Sequence, residues 1–230
     1  MKKIKVVIPA RSGSKGLKNK HLCLVRNKPL IFWTIDQFIE EIGDQVEIYI
    51  STDCNQITNL CNEKYPQVKI LKRDPNLALD TTSTEEVLKD IAKNWYSHSL
   101  NNGNEFVIYA SPCEINRPKG ILLNAINSIS KTKNIDTFMY GEKSHKHLWG
   151  NLSGQPKLIC DWMKYYSPRQ VDSANYLIEH SGLILLTKLK YWLNGERFGG
   201  EIFIEKLSEL YRHIDIHNKI DLEIASIILN

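Results

Sequence analysis

The sequence predicts an α/β fold of three layers, with helices on both faces of a mostly parallel sheet. Short β-branched and apolar runs alternate with longer segments in which apolar residues recur at helical spacing. No internal repeat or low-complexity tract interrupts this alternation. The chain has 230 residues, 42% of them hydrophobic, which is enough to bury the core of one domain spanning residues 1–230.

The first half of the chain predicts each element in turn. It opens with a βαβ unit: a strand at 5–9, a helix at 29–42 and a strand at 46–51. The alternation continues with a helix near 54–64, a strand at 68–71, a helix from Ser83 and Thr84, a strand at 105–110, a helix near 118–130 and a strand at 135–140. Ser83 suits an N-cap because acidic residues follow it in the first turn. Such alternation is typical of a Rossmann-like sheet, which binds ligands at the carboxyl ends of its strands.

The second half is less regular. Periodicity fades between about 142 and 180, where aromatic, basic and histidine residues mix without order, and this predicts an insertion. Residues 181–187 are almost continuously apolar, as in a strand covered on both faces. The chain closes with a predicted strand whose end carries Asp215, followed by a helix.

Composition excludes several classes of protein. The net charge of +4 is small and evenly spread, which argues against a nucleic-acid partner. The five cysteines form no CxxC pair, so neither a zinc motif nor a disulfide framework is indicated. The first ten residues are too short in apolar content for a signal peptide or a membrane span. We expect a cytoplasmic protein that does not bind membranes.

One loop carries the strongest functional signal. The stretch IPARSGSKGLKNK, residues 8–20, lies at the end of the first strand and combines two glycines with four basic residues and no acid. A glycine-containing turn at the end of a strand can present backbone N–H groups, Arg11 and Lys15 to phosphates. The spacing of Gly13 and Gly16 matches neither GxxxxGK[ST] nor a complete GxGxxG. The sequence therefore predicts a nucleotide-phosphate loop of another kind.

This loop resembles the N-terminal signature of the CMP-sialic acid synthetases, or acylneuraminate cytidylyltransferases, which is roughly (I/L)(P/L)AR-x-x-SKG(L/I)-x-x-KN. Three more stretches resemble the family in the same order: STD at 51–53, KRDPNLALDTTST at 72–84 and IDI-x-x-x-x-DL at 214–222. The branch that activates 3-deoxy-manno-octulosonate typically has an SxRLP loop, so SKGL favours the sialic-type branch. The resemblance implies the nucleotide-diphospho-sugar transferase type of α/β fold.

The resemblance also implies a reaction and the residues that carry it. CMP is transferred from CTP to the anomeric hydroxyl of a nonulosonic acid, pyrophosphate leaves, and Mg²⁺ assists. Arg11, Lys15 and Asp215 are the implied catalytic residues. The implied CTP-binding residues are Ala10, Arg11, Ser12, Gly13, Ser14, Lys15 and Lys20 at the phosphates, with Arg73, Asn76 and Ser83 at the base and ribose. The implied acceptor-binding residues are Ser111, Arg117 and Arg169, and the implied metal residues are Asp215 and His217.

Departures from the family pattern leave the acceptor open. His217 stands where many relatives have a second acid, and an imidazole suits Mg²⁺ less well than oxygen. Ser111 stands where the family has glutamine, and IEHSG at 178–182 replaces R-x-NG. Sialic, legionaminic and pseudaminic acids remain candidates; so do a 3-deoxy-octulosonate, a phosphate or a phosphonate, and a non-catalytic CTP-binding protein.

The histidines and the irregular segment at 142–180 are not assigned a role in catalysis. Without a regular metal spacing, His145, His147, His180 and His217 are interpreted as ordinary polar surface or interface residues. In the resembled family the region corresponding to 142–180 forms a subunit contact and reaches toward the acceptor, so the resemblance implies a homodimer.

Overall fold

The computed structural model describes residues 3–13, 16–97, 102–144, 148–150, 156–159, 176–208 and 213–229. The strands of these residues are β1 Ile4–Pro9, β2 Leu24–Val25, β3 Lys28–Pro29, β4 Val46–Thr52, β5 Lys69–Lys72, β6 Phe106–Tyr109, β7 Thr137–Ser144, β8 Trp149–Gly150, β9 Lys157–Leu158, β10 Tyr176–Glu179, β11 Leu185–Lys188 and β12 Ile202–Lys206. The α-helices are α1 Leu30–Ile42, α2 Asn55–Lys64, α3 Thr84–Tyr96, α4 Ile121–Lys131, α5 Leu189–Asn194 and α6 Lys219–Ile228.

Most of the central sheet is parallel. Strands β5, β4, β1 and β6 lie side by side and point the same way. Beyond β6 come β11, β7 and β12, of which β7 and β12 are parallel to each other. The carboxyl ends of β1, β4, β5, β6 and β7 therefore meet at one edge of the sheet, where a ligand is expected in a fold of this type.

Two strands of the sheet, β10 and β11, run antiparallel to their neighbours. β11 is antiparallel to both β6 and β7, and β10 continues along β7 in the same antiparallel sense. Residues 180–184 separate β10 from β11, and the backbone turns there, with Leu183 N–H donating to the His180 carbonyl at 3.1 Å. Since β11 runs against its neighbours, this turn before it lies at the carboxyl edge of β6.

Helices cover the sheet on both faces. Val6 and Ile8 of β1 face one buried cluster with residues of α1, α2 and α4, whereas Val7 faces a second cluster with residues of α3 and α5. This period of two is what a strand covered on both sides requires. A third cluster joins Ile214 and Ile216 to the loop after β6 and to α6.

The predicted three-layer α/β fold is confirmed. The capping box is present at the start of α3, where Ser83 Oγ accepts from the Glu86 N–H at 3.2 Å and the Glu86 carboxylate accepts from the Ser83 N–H at 2.7 Å. In the part of the chain that the structure describes, no helix combines the length and the apolar content needed to cross a membrane.

Two expectations differ from the structure. The closing strand is wrong, because residues 213–217 form no strand: Ile216 N–H donates to the Cys113 carbonyl at 3.1 Å, and the alternating isoleucines pack on a loop. The strand expected at 181–187 begins only at Leu185. The insertion expected at about 142–180 falls largely outside the described residues, and β7 and β10 at its two ends belong to the main sheet.

Candidate active site

A cleft lies at the carboxyl edge of the sheet, beside the ends of β1, β5 and β6. It encloses a cavity of about 260 Å³. The lining residues used below are Arg11, His21, Arg73, Ser83, Tyr109, Ser111 and Cys113. Four of these seven, Arg11, Arg73, Ser83 and Ser111, were predicted from the sequence as CTP or acceptor residues.

The loop after β1 is clamped to the end of β4. Ser12 N–H donates to Asp53 Oδ1 at 2.8 Å, and the Ser12 hydroxyl donates to the other carboxylate oxygen of Asp53. Partial burial raises the pKa of Asp53, but the Ser12 hydroxyl, the Ser12 N–H and Arg73 together lower it more, so the net pKa shift is downward. Asp53 therefore stays ionised at neutral pH and holds the loop.

Arg11 reaches across the cleft to the loop before α3. Its guanidinium donates to the Asp80 carboxylate at 2.6 Å and to the Ala78 carbonyl at 3.1 Å. The side chain keeps 28% of its surface exposed, so it remains accessible from the cavity. Asn76 lies on the same loop but is exposed rather than part of the cavity wall.

Arg73 and His21 form the buried floor. Arg73 donates to the Ser51 carbonyl at 2.8 Å and to the Ser51 hydroxyl at 3.2 Å. Burial lowers the pKa of Arg73 to about 10, Arg11 adds to the lowering and Asp53 opposes it, so Arg73 keeps its charge at neutral pH. Burial lowers the pKa of His21 to about 3, with the charges of Lys20, Arg73 and Arg11 adding to the effect, so His21 is neutral.

The segment carrying Asp215 is docked on the phosphate loop. Lys20 Nζ donates to the Ile216 carbonyl at 2.9 Å. A Cβ added at Gly16 would overlap the His217 carbonyl oxygen, so the two backbones touch at a point where only glycine leaves room. These two contacts hold the predicted metal residues beside the predicted phosphate residues, although about 200 positions separate them in the chain.

Asp215 and His217 are paired with each other. His217 Nε2 lies 2.9 Å from Asp215 Oδ2, and the two side chains are 69% and 30% exposed, respectively. The carboxylate is therefore partly open to solvent, and the imidazole lies beside it at ion-pair distance.

Comparison with known proteins shows what the chain is similar to. Residues 5–101 match a family model described as cytidylyltransferase. The match covers the first part of the chain, which includes the loop after β1 and the cleft residues up to Ser83. The N-acylneuraminate cytidylyltransferase of Streptococcus agalactiae serotype III is 36% identical over 103 residues, which are 44% of this chain and 23% of that protein. The N-acylneuraminate cytidylyltransferase of Escherichia coli O18:K1:H7 is 26% identical over 97% of this chain and 51% of its own length.

Further cytidylyltransferases extend the comparison. The CMP-N,N'-diacetyllegionaminic acid synthase of Legionella pneumophila is 37% identical over 39% of this chain and 38% of its own length. The solved CMP:2-keto-3-deoxy-manno-octonic acid synthetase with CTP superposes with a TM-score of 0.69 at 14% identity, covering 99% of this chain and 98% of that one, and shows the shared fold. The chain spans between about a quarter and a half of the length of these three curated cytidylyltransferases.

Two of the acceptor residues implied by the resemblance, Ser111 and Arg117, lie in different surroundings. Ser111 lines the cavity, where its hydroxyl accepts from the Cys113 N–H at 3.2 Å. Arg117 is 6% exposed and donates to the carbonyls of Leu183, Ser111 and Gly182 at 2.6, 2.6 and 3.0 Å. This geometry favours a role for Arg117 in fixing the loop after β6 and the turn before β11, rather than the predicted contact with an acceptor.

Of the fifteen site residues predicted from the sequence, four line the cleft, namely Arg11, Arg73, Ser83 and Ser111, and the Lys20 contact brings the segment of Asp215 and His217 beside the loop after β1. Ser14, Lys15 and Arg169 lie outside the described residues. Ala10 is buried and its N–H donates to the Ser51 carbonyl at 2.9 Å, whereas Gly13 is exposed. Sequence reasoning missed His21 and Asp80; the first directly follows the basic loop and the second ends the LALD stretch, so both were adjacent to recognised motifs.

Proposed function

We propose that the protein is a CTP-dependent cytidylyltransferase that transfers CMP to the anomeric hydroxyl of a nonulosonic acid and releases pyrophosphate. The observation that carries the proposal is the docking of the Asp215 segment on the loop after β1, through Lys20 and Gly16. It unites a basic phosphate-binding loop with a carboxylate suited to a metal, at the edge where this fold binds ligands. The family match over residues 5–101 supports the nucleotide half.

Charge in the cleft suits a triphosphate. Arg11 and Arg73 line the cavity, and Lys20 lies close enough that all three cations act on His21, which stays neutral among them. Attack on the α-phosphorus builds charge on the bridging oxygen of the departing pyrophosphate, so catalysis rests on positioning and on fixed positive charge. Asp80 holds Arg11 extended across the cleft, so the guanidinium is oriented before CTP arrives.

The donor atoms at Asp215 fit Mg²⁺ in part. Mg²⁺ is usually held by one or two carboxylates together with substrate phosphates and water, and Asp215 supplies one exposed carboxylate beside the phosphate loop. His217 is a weaker match for this hard ion, and its Nε2 lies 2.9 Å from the Asp215 carboxylate. When bound, the ion supplies charge neutralisation at the phosphates, and the chain supplies the carboxylate that places it.

His21 is suited to reading the nucleotide. Its side chain is 7% exposed in the cavity lining, and within the described residues Nδ1 has no hydrogen-bond partner. A buried polar atom without a partner costs about 1–3 kcal/mol, so a ligand that bonds to it recovers that cost. We assign His21 to the ribose or base of CTP, next to Arg73 and Ser83.

A nonulosonic acid as acceptor is supported by the names of two similar proteins, an N-acylneuraminate cytidylyltransferase and a CMP-N,N'-diacetyllegionaminic acid synthase. Ser111 and Glu179 replace larger or basic residues of the family pattern, which suits a modified nonulosonate better than N-acetylneuraminate itself. The fold shared with an octulosonate synthetase keeps a 3-deoxy-octulosonate as the second candidate. The homodimer implied by the irregular segment at 142–180 remains part of the proposal.

The test is pyrophosphate release from CTP and Mg²⁺ with N-acetylneuraminate, legionaminate, pseudaminate, 3-deoxy-manno-octulosonate and a phosphonate as acceptors. Release with one nonulosonate, and none without acceptor, supports the proposal and names the substrate. Asp215→Asn should lower the rate by about 100-fold or more, whereas Glu63→Gln, which changes an exposed acid on α2 outside the cavity wall, is the matched control. CTP binding without release across the whole panel would overturn the acceptor assignment.

A further inference from the structure

A second group of chemically active side chains lies apart from the Asp215–His217 pair. One ligand atom from each of Glu114, His180 and His213 lies within 4.8 Å of the others. His213 Nε2 is 3.0 Å from Glu114 Oε2, and the rings of His180 and His213 have centroids 4.2 Å apart. The residues come from three separate segments: the loop after β6, the turn between β10 and β11, and the stretch before α6.

This cluster is buried, contrary to the interpretation of His180 as a surface or interface residue. His180 is 6% exposed and Glu114 is 7% exposed, whereas the side chain of His213 keeps 27% of its surface open to solvent. The group is therefore enclosed on two sides and accessible from the third. Burying two imidazoles and a carboxylate together is costly unless they are paired or bind a cation.

Glycine makes room for the carboxylate. A Cβ added at Gly182 would overlap Glu114 Oε1, so the carboxylate occupies the space a side chain would need. His180 is fixed through its backbone, since its N–H donates to the Tyr140 carbonyl at 2.8 Å, and through Glu142, whose Oε2 lies 3.3 Å from His180 Nε2. A carboxylate beside a metal-binding imidazole typically orients the ring and raises its basicity.

The geometry points to a divalent transition-metal site of the zinc class at Glu114, His180 and His213. Two imidazoles and one carboxylate with an open position form a common zinc donor set, and nitrogen ligands favour such ions over Mg²⁺. Ligand atoms 2.0–2.1 Å from a tetrahedral ion are roughly 3.3 Å apart, so the His213–Glu114 pair at 3.0 Å needs little adjustment, whereas the His180 nitrogen, within 4.8 Å of the other two, must move inward by up to about 1.5 Å.

The ion would tie three segments of the cleft together. Its ligands belong to the loop that carries Ser111, to the turn before β11 and to the segment that carries Asp215. One bound ion would therefore hold the Asp215 segment against the sheet. Binding replaces protons on the histidines, and Zn²⁺ uptake is therefore accompanied by proton release. This site is independent of the proposed nucleotide chemistry, and its failure would leave that proposal standing.

The experiment uses tag-free full-length protein titrated with Zn²⁺ and, for spectroscopy, with Co²⁺. We expect one Zn²⁺ per chain that survives dialysis and is not displaced by millimolar Mg²⁺. We also expect a Co²⁺ absorption band of a four-coordinate nitrogen and oxygen site, and a melting temperature raised by about 5–10 °C at a hundredfold excess over Kd. His213→Ala and Glu114→Gln should each weaken Zn²⁺ binding by about 100-fold or more, which is at least the loss seen for second-shell partners.

His217→Ala is the matched control, since it removes an exposed histidine that lies four positions after His213 and outside the cluster. It should leave Zn²⁺ binding unchanged. Loss of binding in this variant with retention in His213→Ala would place the ion at Asp215 and overturn the inference, as would an absence of stoichiometric Zn²⁺ in the wild-type chain. Glu114→Gln keeps the size of the side chain, so the inference stays testable if His213→Ala does not fold.

Discussion

The contact between Gly16 and His217 makes a quantitative prediction for Gly16→Ala. The added methyl carbon would lie closer to the His217 carbonyl oxygen than the 3.0 Å below which Cβ atoms essentially never approach, and 3.5 Å from the carbonyl carbon. The neighbour is backbone, held by the Lys20 bond to Ile216, so it cannot rotate away as a side chain would. The phosphate loop and the Asp215 segment must then separate by about 1 Å, a misplacement that typically costs about 100-fold in rate.

Gly13→Ala is the matched control, because a Cβ at Gly13 meets nothing within 4 Å and neither glycine has a positive φ. Both variants should melt close to the wild type, since both positions are exposed. The measurements are kcat for pyrophosphate release with the preferred acceptor and CTP affinity by calorimetry. Gly16→Ala should lose about 100-fold in kcat and Gly13→Ala less than threefold. Equal kcat values for the two variants would refute the argument that loop spacing sets the rate.

Three further predictions address single side chains. Burial holds the pKa of folded His21 at about 3, below its unfolded value of 6.5, so the contribution of His21 to the free energy of unfolding is fully present above pH 6.5 and is lost as the pH falls toward 3. Unfolding titrations should show a slope of up to about 1.4 kcal/mol per pH unit, and His21→Gln should remove it. An unchanged slope in this variant would contradict the assignment. His217→Asp places a second carboxylate beside Asp215 and should lower the Mg²⁺ concentration needed for half-maximal rate, whereas a weaker Mg²⁺ response would show that the imidazole has its own role. Arg117→Leu removes the guanidinium donor from the carbonyls of Leu183, Ser111 and Gly182, of which, among the described residues, only Gly182 keeps another donor, the Ser111 N–H; the change should cost about 3–5 kcal/mol in urea unfolding, and a loss below about 1 kcal/mol would exclude the structural role.

The sequence predicted the first hundred residues well for a physical reason. Strands β1 and β4 and helices α1 and α3 bury strongly periodic apolar faces, and the capping residue Ser83 marks its helix start directly. The phosphate loop is a contiguous motif, so its position after β1 follows from the order of elements alone. Local pattern and final structure agree wherever the partners lie close along the chain.

The structure of the later half was harder to predict from the sequence, because the contacts that determine it join residues far apart in the chain. An apolar run such as 181–187 indicates that a strand is buried but not which way the strand runs. It therefore does not distinguish an antiparallel strand from a parallel one. The isoleucines at 214 and 216 alternate like a strand, yet they pack against a loop. Glu114, His180 and His213 meet only after the chain has folded, and their wide spacing gave no signal of a common site.

The reversed strand β11 has a consequence for how this cleft can change. A parallel strand delivers to the carboxyl edge the residues that follow it, whereas β11 delivers the residues that precede it, at 180–184. The cleft is lined by residues between 9 and 87 and by residues 109–113, and the turn at 180–184 holds the second stretch from behind, since the Ser111 N–H donates to the Gly182 carbonyl at 2.8 Å. A change of sequence in this turn would therefore act on the cleft indirectly, by shifting Ser111, while the lining from residues 9–87 keeps its own contacts.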